Sequence, residues 1–249
     1  MSKKTAEDYF NDGINFKKNR KFNEAIKAFN NVLITNPDVY QVFFNLGNIY
    51  YDQKNFDLAI KNFQKASEIN PNDFEILNNM GNSYLKKGDF NEAIKAFNNV
   101  LITNPDVYQV FFNLGNIYYD QKNFDLAIKN FQKASEINPN DFEIFNNMGN
   151  SYLKKGDFTK SLESFKVAFS LSPKNTIISN SVGFLHYKMG NFSASKQAFE
   201  YSLSIDNNNG IAKDKISEIL CLNGDFHKGL EIYYEVNGKI TFTDKVEIK

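Results

Sequence analysis

The sequence predicts an all-α solenoid built from seven helical hairpins. Three observations carry that prediction. Residues 22–90 recur as residues 90–158 with one difference, Leu77 against Phe145. Inside this 68-residue duplication lies a weaker period of 34, marked by Gly47, Gly81, Gly115, Gly149 and Gly183 and by Pro37, Pro71, Pro105, Pro139 and Pro173. Apolar residues within each period fall on two helical stripes. A fixed period of this length belongs to stacked supersecondary units, none of which buries its apolar face alone. Such an architecture points to a binding surface rather than a catalytic pocket.

The repeat from Tyr40 to Asp73 shows how each element arises. Phe43, Leu46, Gly47 and Tyr50 share one side of a first helix. Phe56, Ala59, Ile60, Phe63 and Ala66 form the stripe of a second. Gln53, Lys54 and Asn55 make the turn between them, and Pro71, which cannot continue a helix interior, marks the break after Asn70. Gly47 and Ala59 are small where the two helices must approach closely.

Small residues, aromatics and a terminal proline at these spacings resemble the tetratricopeptide repeat (TPR) family. The resemblance implies a right-handed superhelix. Counting from each glycine and proline gives repeats that start at Ala6, Tyr40, Phe74, Tyr108, Phe142, Thr176 and Gly210. The solenoid is expected to span residues 1–243, with a short tail at 244–249. The place where the family usually has Trp holds Tyr9, Phe43, Leu77, Phe111, Phe145, Ser179 and Lys213, the last two being poor matches. The seventh repeat departs further, with Ser217 for the glycine, Leu220 for the tyrosine and Gly229 for the alanine. From residue 239 the pattern alternates, Ile240, Phe242, Val246 and Ile248 against polar neighbours, which is a strand signal. That end is a candidate for weak self-association.

Composition narrows the function classes. Lys+Arg number 29 against Asp+Glu 29, so the electrostatic footprint of a nucleic-acid binder is missing. No apolar run is long enough to span a bilayer, and the start of the chain lacks the apolar core of a signal peptide. Cys221 is the only cysteine, so no intramolecular disulfide forms. A cytoplasmic address is the expectation. Arg20 is the only arginine while Lys, Asn, Ile and Phe abound, a composition that A/T-rich codons produce.

The candidate site lies opposite the buried stripe of the first helices. Gln41, Asn45, Asn48 and Asp52 share that side, followed in later repeats by Asn79 and Asn82, Asn113 and Asn116, and Asn147 and Asn150, with Asn11 in the first repeat. In the TPR superhelix this face lines the inner groove, and the resemblance implies the same here. A similar asparagine ladder is known in the TPR superhelix of the O-linked GlcNAc transferases, which the strings Asn45-Leu-Gly-Asn48 and Asn79-Met-Gly-Asn82 resemble. Each carboxamide offers a donor and an acceptor, and an extended peptide backbone offers the matching groups whatever its side chains. Rungs about 10 Å apart meet such a peptide every two to three residues. At about 0.5–1.5 kcal/mol per bond, four or five rungs support binding on the order of micromolar. Two readings stay open: a peptide-binding ladder, or asparagines that are solvated or bonded between helices.

Phe44 and Tyr51, then Asn78 and Leu85, flank the files and are expected mainly in packing between repeats. Some TPR adaptors hold acidic C-termini with a clamp of cations on this face. The matching places hold Phe10, Phe44, Gln41, Glu75 and Asn79, which argues against that ligand class. No catalytic set is arguable from His186, His227 and Cys221; His186 stands where other repeats have a buried tyrosine. The segment Asp206 to Gly210 resembles a calcium loop only superficially, since Ser217 stands where the bidentate acid belongs. Asn191-Phe-Ser193 is a glycosylation sequon by pattern only. No metal or cofactor is expected, and no enzymatic activity. The expected function is a scaffold that binds an extended segment of a partner protein. Two other classes fit the same features: the substrate-recruiting part of a modifying enzyme, and a self-assembling structural element.

Overall fold

Fourteen α-helices and no strand account for the described residues, 4–237, of the computed structural model. The alternating segment from residue 239 and the tail at 244–249 lie outside the described residues. By packing, the chain divides into two compact halves, Met1–Ile117 and Tyr118–Lys249.

The first half holds α1 (Ala6–Lys18), α2 (Phe22–Thr35), α3 (Tyr40–Asp52), α4 (Phe56–Ile69), α5 (Phe74–Lys87) and α6 (Phe90–Thr103). Helix α7 (Tyr108–Asp120) begins in this half. Within this half α1 packs on α2, α3 on α4 and α5 on α6, while α2 packs on α3 and α4 on α5. Glycine makes the hairpin contact possible. A Cβ on Gly47 would stand 2.6 Å from the ring of Phe63, and one on Gly13 the same distance from Phe29. The rings of Phe29, Phe63 and Phe97 are fully buried as a result.

The buried face of α3 is wider than the stripe read from the sequence. Val42 and Ile49 are fully buried, whereas Tyr50 is half-buried. The reason is that α3 is covered twice. Val42, Leu46 and Ile49 pack with Ala25, Phe29 and Val32 of the preceding repeat, and Phe43 packs with Ala59 and Phe63 of its own. A helix sandwiched in this way keeps only a narrow face for solvent.

Local chemistry sets the boundaries. Thr5 and Asp8 form a reciprocal capping box at the start of α1, and Asn55 and Asp73 accept from backbone N–H groups at the starts of α4 and α5. The turn inside each hairpin needs one left-handed residue. Gly88, Gly156, Gly190 and Gly224 supply it at φ 75–92°, while Arg20, Lys54 and Lys122 take φ 57–60° at the equivalent places.

The second half holds the end of α7, then α8 (Phe124–Ile137), α9 (Phe142–Lys155), α10 (Phe158–Leu171), α11 (Thr176–Lys188), α12 (Phe192–Ile205), α13 (Gly210–Leu222) and α14 (Phe226–Asn237). Its hairpin contacts repeat the glycine–ring motif through Gly149 with Phe165 and Gly183 with Phe199. Serines reinforce them. Ser161 Oγ donates to the Gly149 carbonyl and Ser195 Oγ to the Gly183 carbonyl, both at 2.8 Å. In the last hairpin the small residues trade places. Ser217 sits on α13, Gly229 on α14, and Ser217 Oγ donates to the Gly229 carbonyl at 2.6 Å.

Candidate peptide-binding face

The asparagines of the first half bond to one another between repeats. Asn79 Nδ2 donates to Asn48 Oδ1 at 3.0 Å, and Asn113 Nδ2 donates to Asn82 Oδ1 at 3.0 Å. Each rung joins a residue to the one 31 positions later. That offset is one repeat less one helical turn, so the second file of one first helix meets the first file of the next. Asn48, Tyr51, Asn79 and Asn82 surround a cavity of about 230 Å³. Each rung uses one N–H and one carbonyl, which leaves Nδ2 of Asn48 and Oδ1 of Asn79 for a ligand.

Asn45 behaves differently. It is 8% exposed, accepts from Lys17 Nζ at 2.8 Å and donates to the Gln41 carbonyl at 2.8 Å. Its place in the ladder is therefore a correction to the open face expected from the sequence. The cause is Ile14, which stands where later repeats have the second-file asparagine and provides no carbonyl for a rung. Lys17 fills the gap. Burial pushes its amine below the usual lysine range, with Asp52 pulling the other way. Asn11 is exposed on α1, and Asn48, Asn79, Asn82, Asn113 and Asn116 are half-buried. Burial, and then Asp52, raises the Tyr51 phenol above its ordinary value.

In the second half, Asn147 and Asn150 are half-buried on α9. Asn146 beside them is buried, and its carbonyl oxygen has no partner. The sixth repeat has no asparagine at either place. Ser181 turns its hydroxyl to the Ile177 carbonyl at 3.0 Å, and Phe184 takes the second-file place. A charged cluster then uses the same 31-residue offset. Lys215 Nζ lies 5.8 Å from the Phe184 ring centroid, and Tyr187 Oη donates to Glu218 at 2.5 Å. Lys215 also bonds Glu218 at 2.5 Å. Lys215 and then Tyr187 hold the Glu218 carboxyl below its ordinary range, and the bond to Glu218 raises the Tyr187 phenol. Lys215 and Glu218 stand 31 residues after Phe184 and Tyr187, and that shared offset is the signal in the sequence that pairs them.

Family models for the TPR repeat match residues 47–88 and 115–156, and models for the tetratricopeptide repeat match residues 74–107 and 142–175. The chain belongs to the tetratricopeptide repeat family. Solved TPR structures share its fold. The C-terminal part of a TPR repeat-containing protein from Cytophaga hutchinsonii is 20% identical, with a TM-score of 0.76 over 91% of this chain and 93% of that one. A TPR protein from Parabacteroides merdae is 18% identical, with a TM-score of 0.74 over 95% and 94%. YrrB, described as a TPR protein with an unusual peptide-binding site, is 21% identical, with a TM-score of 0.64 over 76% and 97%. Comparison with curated protein sequences returns no match.

Within this TPR frame the remaining motifs fall into place. Asp206 accepts from the Asn208 N–H and Asn209 caps α13, so the Asp206 to Gly210 segment is an inter-repeat turn. His227 is exposed on α14 and Cys221 is half-buried on α13. Among the described residues no His, Cys, Asp and Glu side chains cluster as metal ligands, and no helix is long and apolar enough to cross a membrane.

Proposed function

We propose that this TPR chain is an interaction scaffold that binds an extended segment of a partner protein along the face of its first helices. The TPR fold supports a protein–protein interaction role, and the cavity bounded by Asn48, Tyr51, Asn79 and Asn82 carries the finer reading. Interhelix rungs hold these carboxamides in fixed orientations. A fixed donor and acceptor lose less entropy on binding than mobile ones, which favours recognition of a peptide backbone. The aromatic edge of Tyr51 adds apolar contact beside them. Asn11, Asn45, Asn113 and Asn116 extend the proposed site within the first half, with Asn45 acting through its bonds to Lys17 and Gln41 rather than by open exposure, and Asn147 and Asn150 are the proposed binding residues of the second half. YrrB, a TPR protein of the same fold, is described as peptide-binding, which supports the class of ligand.

The reading includes a cytoplasmic location and a non-catalytic role, and fractionation of the source cell tests the first. A displayed peptide library selected on the whole chain tests the ligand. Selected peptides are expected to lose about three- to tenfold in affinity for Asn48→Ala and for Asn82→Ala, at about 0.5–1.5 kcal/mol per hydrogen bond. Peptides that bind both folded variants as tightly as the wild type would place the site elsewhere.

A further inference from the structure

The sixth repeat has an outer pocket whose floor differs from that of the matching pocket in its neighbour. Between α10 and α12, over α11, lies an open cavity of about 420 Å³ floored by Ser179, Val182 and His186. The equivalent place 34 residues earlier is a cavity of about 360 Å³ floored by Phe145, Met148 and Tyr152. There the tyrosine hydroxyl accepts from Gln132 Nε2 at 3.2 Å, so the aromatic pair is locked in place. Ser179 for Phe145 and His186 for Tyr152 remove both large side chains from the floor. The pocket then reaches Leu162, Phe165 and Phe169, whose counterparts do not line the earlier cavity.

The polar demand inside it is narrow. Ser179 Oγ already donates to the Asn175 carbonyl, whereas His186 Nδ1 is buried without a partner. We propose that this pocket receives the phenol ring of a tyrosine side chain from a partner polypeptide. The apolar walls suit a ring, since an apolar cavity of about 150 Å³ already takes benzene. A hydroxyl suits His186 because it pairs with either imidazole tautomer, as donor or acceptor. Lys166 and Gln197 at the mouth offer N–H donors to the peptide carbonyls on each side of the inserted residue. This site is separate from the asparagine face. At 100° per residue, Ser181 and Phe184 lie on the opposite side of α11 from Ser179, Val182 and His186.

Calorimetric titration of the full chain with N-acetyl-tyrosinamide, N-acetyl-phenylalaninamide and p-cresol tests the proposal. The tyrosine amide is expected to bind about three- to tenfold more tightly than the phenylalanine amide, the value of one hydrogen bond. Ser179→Phe with His186→Tyr restores the floor of the fifth repeat, closes the reach to Leu162, Phe165 and Phe169 and removes the imidazole, and is expected to weaken binding of the tyrosine amide at least tenfold while raising the melting temperature. Should that pair fail to fold, Ser179→Leu, the residue at Leu77, is expected to have the same effect on binding. Equal affinity for the two amides, no binding of either, or binding that survives the folded filled variants overturns it. Cresol binding without amide binding also overturns it, since the pocket then serves a small phenol.

Discussion

Asn79 Nδ2 donates to Asn48 Oδ1 at 3.0 Å across two consecutive first helices. A group offered to a ligand is thus also a link between repeats, so stability and binding are coupled at this face. Asn79→Ala leaves the half-buried carbonyl of Asn48 unpaired and is expected to lower stability by about 1 kcal/mol. The double variant with Asn48→Ala should cost less than the sum of the two single changes, because each single change strands its partner. Additive losses in chemical denaturation would mean that the rung contributes nothing. Asn45→Ala removes two bonds at a more buried place, Lys17 Nζ among them, and is expected to cost more than Asn79→Ala.

The hairpin turns hold a reserve of stability. Lys54 and Lys122 adopt φ 60° where Gly88 and Gly156 take φ 92° and 87°. A left-handed conformation costs a non-glycine residue about 1–2 kcal/mol, partly offset by the greater freedom glycine loses on folding. Lys54→Gly and Lys122→Gly are each expected to stabilise the chain by about 0.5–1 kcal/mol, read as a higher denaturation midpoint at unchanged slope. A lower midpoint for both would show that the lysine stems contribute packing that the dihedral argument omits.

Much of the fold was legible in the sequence because the 34-residue glycines and prolines mark the places where helices touch and end. Helix starts at Tyr40, Phe74 and Phe142 follow from the count alone. The second burial surface of α3, through Val42 and Ile49, was not legible, because one repeat read by itself contains no preceding helix. Bonding between helices was one of two open readings of the asparagines, and the pairs that form it were not legible for a related reason. Helical spacing places Asn45, Asn48, Asn79 and Asn82 on faces, but the one-turn stagger between neighbouring helices decides which of them meet. The outer pocket was half visible. Ser179 and His186 read as poor matches and a core residue; the space they leave appears only once Phe165 lies beneath them.

The cluster of Tyr187, Lys215 and Glu218 should respond to acid. Lys215 and Tyr187 hold the Glu218 carboxyl below its ordinary value of 4.5. A carboxylate depressed in the folded state adds stability above its unfolded pKa, and that contribution is lost as pH falls through the folded value. Wild type is therefore expected to be slightly more stable than Glu218→Gln at pH 7, with the gap closing below about pH 4. The effect is small because Glu218 is exposed and screened. Melting curves from pH 7 to pH 3 check it, and a gap that widens in acid would contradict the pairing.

The last described hairpin gives the sharpest packing prediction. Its small residue has moved from α13 to α14, and the helices have closed on the new arrangement. A Cβ on Gly229 would stand 2.4 Å from Cys221 Sγ and 2.9 Å from the Ser217 carbonyl oxygen. The thiol can rotate away, whereas the carbonyl belongs to the helix backbone. Gly229→Ala is therefore expected to destabilise the chain by about 1–3 kcal/mol, although alanine is the better helix former and stands at this place in earlier repeats. Adding Cys221→Ala should relieve only the thiol contact and recover part of the loss. Full recovery in the double variant would show that the backbone approach is tolerated. A gain in stability from Gly229→Ala alone would show that the hairpin opens freely, as a frayed terminal repeat does.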